Sequence, residues 1–334
     1  MDGHIVDVHA HLYPSSFPTT PIEQILTRAK AVNVSSIITV PETLEDAQSI
    51  FELKNDLTLS NSLRDMIEPC AGLHPVTPEG AMSLIRVDQA DSILQFIKDK
   101  SAELVGIGEV GLDFSPRIMN NAIAAYPDLK LDAEDLKNVQ RTVLARHIDL
   151  SLQFDLPLNV HSRSAGHHTL DCLRDYGARK VVMHAFDGRI QYANKGVEMG
   201  FVIIEIIMLH VRSPQKQKLV AAIPLSNLLL ETDSPALGPE QGVDNEPDSI
   251  VISATEIAKV KKIDVSDVVI IVILFVFYSF YRNILNDQFI DSSNYRKCIQ
   301  IVSENQKELY LITIYLTQLL DVCKFYITIE TLFR

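Results

Sequence analysis

The chain has 334 residues, 47% of them apolar, and a formal net charge of −13. That length suits one large domain with room for an appendage, because an α/β barrel needs roughly 250 residues. The acidic balance excludes a protein that coats nucleic acid non-specifically, since phosphate neutralisation by Lys and Arg supplies that affinity. It does not exclude a nuclease, whose bound cations invert the charge of a small site.

The N-terminal MDGHIVDVHAH has neither a basic stretch nor a long apolar one, so no secretory signal is expected. Apolar runs at residues 4–11, 35–42, 66–74, 104–113, 157–163, 180–187, 200–207 and 227–233 read as strands. Between them, segments such as 22–31 and 136–154 carry the 3.6-residue period of helices. Eight β runs, most followed by a helix, predict an α/β fold of the TIM-like (β/α)8 barrel type. The runs are apolar on both faces, as a buried parallel sheet requires.

From about Val265 the composition changes: residues 265–334 contain no Gly, Pro or Ala. The run VVIIVILFVFYSFY at 268–281 is shorter than the ~20 residues of a membrane span, so a buried final helix is expected and no membrane. The barrel is therefore assigned to 1–264. Residues 265–334 are an atypical apolar segment, for which an alternative or misread exon is a further reading. Cysteines at 70, 172, 298 and 323 are scattered, without a CxxC pair, which points to a reducing, intracellular setting (cytoplasm or nucleus).

The chemistry sits at the ends of the strand runs. His9 and His11, in DVHAH, are two apart on the first strand and so share one face. They can reach one cation together from the barrel's C-terminal mouth, where barrel enzymes keep their sites. Glu109, in GEVGLD, is placed at the end of the fourth run, and a carboxylate there is costly to bury unless paired or metal-bound. His161 ends run five, His184 run six and Asp233 run eight. Each alone could be a satisfied core polar group; together they supply the imidazoles and carboxylates that zinc and similar ions take. Four His and two carboxylates suffice for two divalent cations, with one carboxylate bridging and a water activated between the ions. The His-rich set leans to zinc or manganese over magnesium, which prefers oxygen ligands.

In this order, DVHAH, AGLHP, GEVGLDFSPR, NVHSRSAG, HAFDGR and ETDSPALGPE resemble the TatD family of metal-dependent deoxyribonucleases over roughly residues 4–262. The resemblance implies that His9 and His11 bind the first metal, Glu109 bridges both, and His161 and His184 bind the second. It implies that Asp233 joins the first metal and acts as the acid–base group, and that His74 and Arg163 lie near the substrate phosphate. The implied activity is hydrolysis of phosphodiester bonds, in DNA above all and in an exonuclease-like manner, without an obligatory protein partner. Asp7 is read as support behind the ligands. The chain departs from the family in GFVIIEIIMLHVRS at 200–213, where Glu205 interrupts an apolar run. It departs again at Asp244 and His167, where the family tends to have Arg, and after Ile263. Alternatives are a barrel hydrolase of a non-nucleic ester or amide, and a metal-binding isoform with little or no activity.

Overall fold

The computed structural model describes residues 5–76, 87–125, 132–184, 188–203, 214–238 and 242–269, with Asp128, Lys130 and Phe186 between them. Seven parallel strands lie in chain order in one sheet: β1 (Ile5–Ala10), β2 (Val34–Thr39), β3 (Ile67–Ala71), β4 (Gly106–Asp113), β5 (Leu158–Arg163), β6 (Val181–His184) and β7 (Val202–Ile203). Strands β1, β3 and β4 are buried along their whole length, as expected of a sheet covered on one face by helices and filled on the other by its own side chains. The helices are α1 (Ile22–Ala31), α2 (Leu44–Lys54), α3 (Asn61–Arg64), α4 (Val87–Lys100), α5 (Pro116–Ala125), α6 (Ala133–Phe154), α7 (Gly166–Asp175), α8 (Ile190–Glu198), α9 (Pro214–Ala222) and α10 (Ile250–Lys261).

Local chemistry explains where several helices start. Thr43 and Asp46 form a capping box on α2, as do Asp132 and Asp135 on α6, satisfying amides that a helix start leaves without partners. Gln140 of α6 then clamps the end of β4. Its amide oxygen accepts from Asp113 N at 2.9 Å and its amide nitrogen donates to Asp113 O at 3.1 Å.

The eighth run, 227–233, forms no regular strand: Asn227 closes a short 3-10 helix and Asp233 takes a left-handed backbone. It nevertheless lies beside β1: Val8 N donates to Leu230 O, Asp233 N to His9 O and His11 N to Ser234 O, at 3.0, 3.0 and 2.7 Å. The sheet thus folds back on its first strand, which makes it a TIM-like α/β barrel. A side chain interrupts the ladder. Asp7 takes Thr232 N on Oδ1 at 3.1 Å and Thr232 Oγ1 on Oδ2 at 2.6 Å, so a carboxylate fills the place of a main-chain acceptor.

Glu109 lies inside β4, not at its end, because the strand continues to Asp113. The glycines around it have a packing reason. A Cβ on Gly111 would stand 2.1 Å from His161 O, and one on Gly108 2.6 Å from Asn159 O, so β4 and β5 approach only because both side chains are missing. Register then aligns the site: Gly111 pairs with His161, and His161 with His184.

Val268 and Val269, just past the expected boundary at 264, are buried in the core. The rest of the apolar segment, 270–334, lies outside the described residues, as does 204–213 with Glu205. Among the described residues no helix is long and apolar enough to cross a membrane.

Candidate metal centre

Four buried side chains converge on one point at the barrel mouth. His9 Nε2 is 3.5 Å from both Glu109 Oε2 and Asp233 Oδ1; His11 Nε2 is 3.4 Å from the same two oxygens. An ion held at about 2.1 Å by four tetrahedral ligands keeps those ligands about 3.4 Å apart. The four imidazole–carboxylate distances are of that length and too long for good hydrogen bonds, and His9, His11 and Glu109 lie close enough together to share an ion. His9 Nε2 is buried with no hydrogen-bond partner, which is costly for a polar atom unless something sits between the ligands.

Neighbouring groups fix which nitrogen faces the centre. Val40 O can only accept, so His11 carries its proton on Nδ1, 3.1 Å away. Asn159 donates through Nδ2 to Val8 O at 3.0 Å, so its Oδ1 accepts from His9 Nδ1 at 2.9 Å. With Nδ1–H fixed on both rings, it is Nε2 that faces the carboxylates and would give its lone pair to a cation that displaces its proton.

A second group surrounds the other oxygen of Glu109. His161 Nδ1 lies 2.8 Å, His74 Nε2 3.6 Å and His184 Nε2 3.8 Å from Glu109 Oε1. His74 Nε2 and His161 Nδ1 are 3.4 Å apart, and these two with Glu109 are close enough to share an ion. His184 instead stacks on His9, ring centres 3.5 Å apart, with Nε2 3.7 Å from Asp233 Oδ1. The structure therefore brings together all six residues expected as ligands. It adds His74, and holds His184 between the two groups. Arg163 ends β5 with an exposed side chain.

The electrostatics call for positive charge here. Burial would raise Glu109, yet His74, His9, His161 and His184 hold its carboxyl well below the usual range. Burial would likewise raise Asp233, but His184, His11 and His9 hold it down at about 2. In return, burial opposes charge on His9 and His161, but the carboxylates outweigh it and lift the rings to about 10 and about 9. Protons balance these carboxylates when nothing else does, and a divalent cation entering the cluster displaces them.

The model of the TatD-related DNase family matches residues 6–277. The chain belongs to that family. The human deoxyribonuclease TATDN3 is 42% identical over 262 residues, 78% of this chain and 88% of its own length. The metal-dependent hydrolase YabD of Bacillus subtilis is 29% identical over 270 residues, 78% of this chain and 92% of its own length. Among solved structures, the TatD homologue YJJV of Escherichia coli superposes with a TM-score of 0.67 at 22% identity, covering 84% of this chain and 99% of its own. A TatD-family hydrolase of Entamoeba histolytica gives 0.66 at 21%, with the same coverage. At those identities the superpositions speak for the fold alone.

Within this TatD barrel the structure shows supporting residues that the sequence reading did not single out. Glu231 Oε2 lies 2.8 Å from His184 Nδ1, Asp113 Oδ2 lies 3.5 Å from His161 Nε2, and Asn159 orients His9. Their signal was faint: Glu231 stands two residues from Asp233, and Asn159 two from His161, on strand runs of period two. Asp7 supports from behind, as expected, but by pinning Thr232 and accepting from His9 N at 3.2 Å, not through a ring. The Asn-Glu-Pro turn after Asp244 is structural. Asn245 Nδ2 donates to Thr232 O at 2.7 Å, and Glu246 accepts from Nε and Nη2 of Arg28 at 2.6 and 2.8 Å. Asp244 itself is exposed.

Carboxylates behind ligating imidazoles typically affect metal affinity 10- to 100-fold. Glu231→Ala is expected to weaken metal binding by about that factor, with Glu231→Gln losing less. Competition against a chromogenic chelator measures it; equal affinity in wild type and Glu231→Ala would show that the His184 orientation does not matter.

Proposed function

We propose that the protein is a metal-dependent deoxyribonuclease that hydrolyses phosphodiester bonds with two divalent cations at the barrel mouth. The observation that carries this reading is Glu109, whose two oxygens each face a separate set of imidazoles: His9 and His11 on Oε2, His161 and His74 on Oε1. A carboxylate so divided suits a bridge. The TatD family match and the names of the human and Bacillus relatives give the substrate class and the need for metal.

His9, His11, Glu109 and Asp233 would hold one cation; Glu109, His161 and His184, with His74 beside them, would hold the other. Zinc and manganese suit this imidazole-rich set best, and magnesium least. Bound cations supply Lewis acidity toward the phosphate oxygens and make a water nucleophilic at neutral pH. Asp233 offers Oδ1 to His9 and His11, which leaves its other oxygen to accept the proton of the attacking water. Arg163, exposed at the end of β5, would meet a phosphate that approaches the rim.

The test is release of nucleotides from single-stranded DNA by the full chain across a panel of divalent metals, beside elemental analysis of the loaded protein. Two ions per chain and metal-dependent DNA cleavage are expected. Hydrolysis of small esters with intact DNA would replace the nuclease reading by a general esterase. One ion per chain at full activity would end the two-cation scheme. Mononucleotides as first products would mark exonuclease-like action; a ladder of internal fragments would overturn it.

A further inference from the structure

Helices α7 and α8 both begin at the rim where β5 and β6 end, so the groove between them opens beside His161 and His184. It holds a cavity of about 230 Å³ lined by His167, Leu170, Arg174, Tyr192, Lys195 and Met199, with Asp171. The volume is below the roughly 300–1,000 Å³ of drug-sized ligand sites and suits one planar ring system. The rings of His167 and Tyr192, both in the lining, are in contact, with centres 5.4 Å apart and planes 27° from parallel. Lys195 Nζ lies over the Tyr192 ring at 5.6 Å. The acid in the lining is already matched: Asp171 pairs with Arg174 at 2.8 Å.

The groove is also joined to the candidate metal centre by a run of rings. Asp113 faces His161; the next residue, Phe114, packs against His168 at 5.2 Å, and His168 against His167 at 3.8 Å. Lys137 and Arg141, both paired with Glu134, lie over Phe114 at 5.5 and 5.4 Å. Flat rings beside an exposed cation, as Tyr192 and His167 stand beside Lys195 in the groove, are the arrangement by which proteins take single-stranded nucleic acid. Bases stack on rings whatever their identity, and the backbone follows the positive charges.

We infer that the α7–α8 groove is a subsite for single-stranded nucleic acid: one unpaired base stacks against His167 and Tyr192, and Lys195 meets an adjoining phosphate. The inference rests on the nuclease reading above and adds to it the strand's route away from the metal centre. Tyr192 and Lys195 are here positioning residues for substrate, remote from the reacting atoms. Stacking requires an unpaired base, so the subsite selects single strands and frayed ends over intact duplex.

The test is fluorescence anisotropy with the metal-loaded full chain and phosphorothioate-linked oligodeoxythymidylate, beside an abasic strand of equal length. Tyr192→Ala should weaken the base-bearing strand roughly 5- to 100-fold, leave the abasic strand unchanged, and regain binding as Tyr192→Trp. Lys195→Gln, at an exposed position, should weaken both strands and reduce the slope of log affinity against log salt by about 0.7. Metal content and thermal midpoint report whether Tyr192→Ala is folded; if it is not, Lys195→Gln and Tyr192→Trp carry the test. A wild type that cuts DNA, with variants that bind both strands as it does, overturns the subsite and leaves the nuclease. Equal loss on base-bearing and abasic strands in Tyr192→Ala overturns the stacking. A wild type that neither binds nor cuts single strands overturns subsite and nuclease together.

Discussion

Replacing Glu109 with alanine is expected to lower hydrolysis by at least about 10³-fold, within the range that acid–base and ligand groups command, and to leave no more than one ion per chain. The reason is its position. Glu109 Oε2 lies 3.5 and 3.4 Å from His9 and His11, while Oε1 lies 2.8, 3.6 and 3.8 Å from His161, His74 and His184. No other described side chain touches every imidazole of the cluster. Without it, five buried rings keep Asp233, Asp113 and Glu231 as carboxylate neighbours, each of which reaches some of the rings and none all of them, and removing one partner from a buried charged set costs about 3–5 kcal/mol. The metal-free variant should therefore also melt earlier than the metal-free wild type. Glu109→Gln keeps the volume and removes only the charge, so a similar loss there assigns the effect to charge over packing. Elemental analysis, thermal melting and initial rates together check the expectation; two ions per chain and a near-normal rate in Glu109→Ala would remove the bridge.

Much of this site could be read from the sequence because its main signals are local. His9 and His11 share a face by the period of a strand, and β1 places both at the mouth as that period demands. The runs that became β1 to β6 are short, apolar and bounded by turns, which identified them within a residue or a few. What was not legible depends on partners far along the chain. Asn159 meets His9 across 150 positions, and Thr232 meets Asp7 across 225. The run 227–233 has the composition of a strand, yet Asp7 captures Thr232, and Asp233 takes a left-handed backbone with φ of 56°. Nothing in the local pattern announces a side chain that substitutes for a ladder partner. His74 was placed beside the phosphate, where its motif suggested. The fold also brings its Nε2 to 3.4 Å from His161, from the segment that follows β3. Glu109 was placed at a strand end, but β4 runs on to Asp113, and its glycines let two strands touch.

Asp233→Asn is the sharper test of chemistry, because the substitution separates holding a cation from moving a proton. The left-handed backbone at this position, φ 56°, is one that Asn adopts as readily as Asp, so the turn should survive. The amide oxygen can still face His9 Nε2 and His11 Nε2, where Oδ1 now stands 3.5 and 3.4 Å away. What the amide cannot do is accept a proton from the attacking water. In the wild type Asp233 is held ionised: burial would raise its carboxyl, but His184, His11 and His9 bring it down to about 2. The group is thus available as an acceptor at neutral pH, and loss of a general base typically costs 10²- to 10⁴-fold. The expected result is a folded protein with a normal thermal midpoint, at least one ion retained, and kcat reduced by about 10²- to 10⁴-fold with KM little changed. Stopped rates beside metal analysis separate the causes. A fall in rate that excess metal restores would make Asp233 a ligand only. A near-normal rate with two ions bound would take Asp233 out of the mechanism and pass the proton to another carboxylate at the mouth. Glu42 is the first to examine there, since burial pushes its carboxyl up to about 7 beside His11.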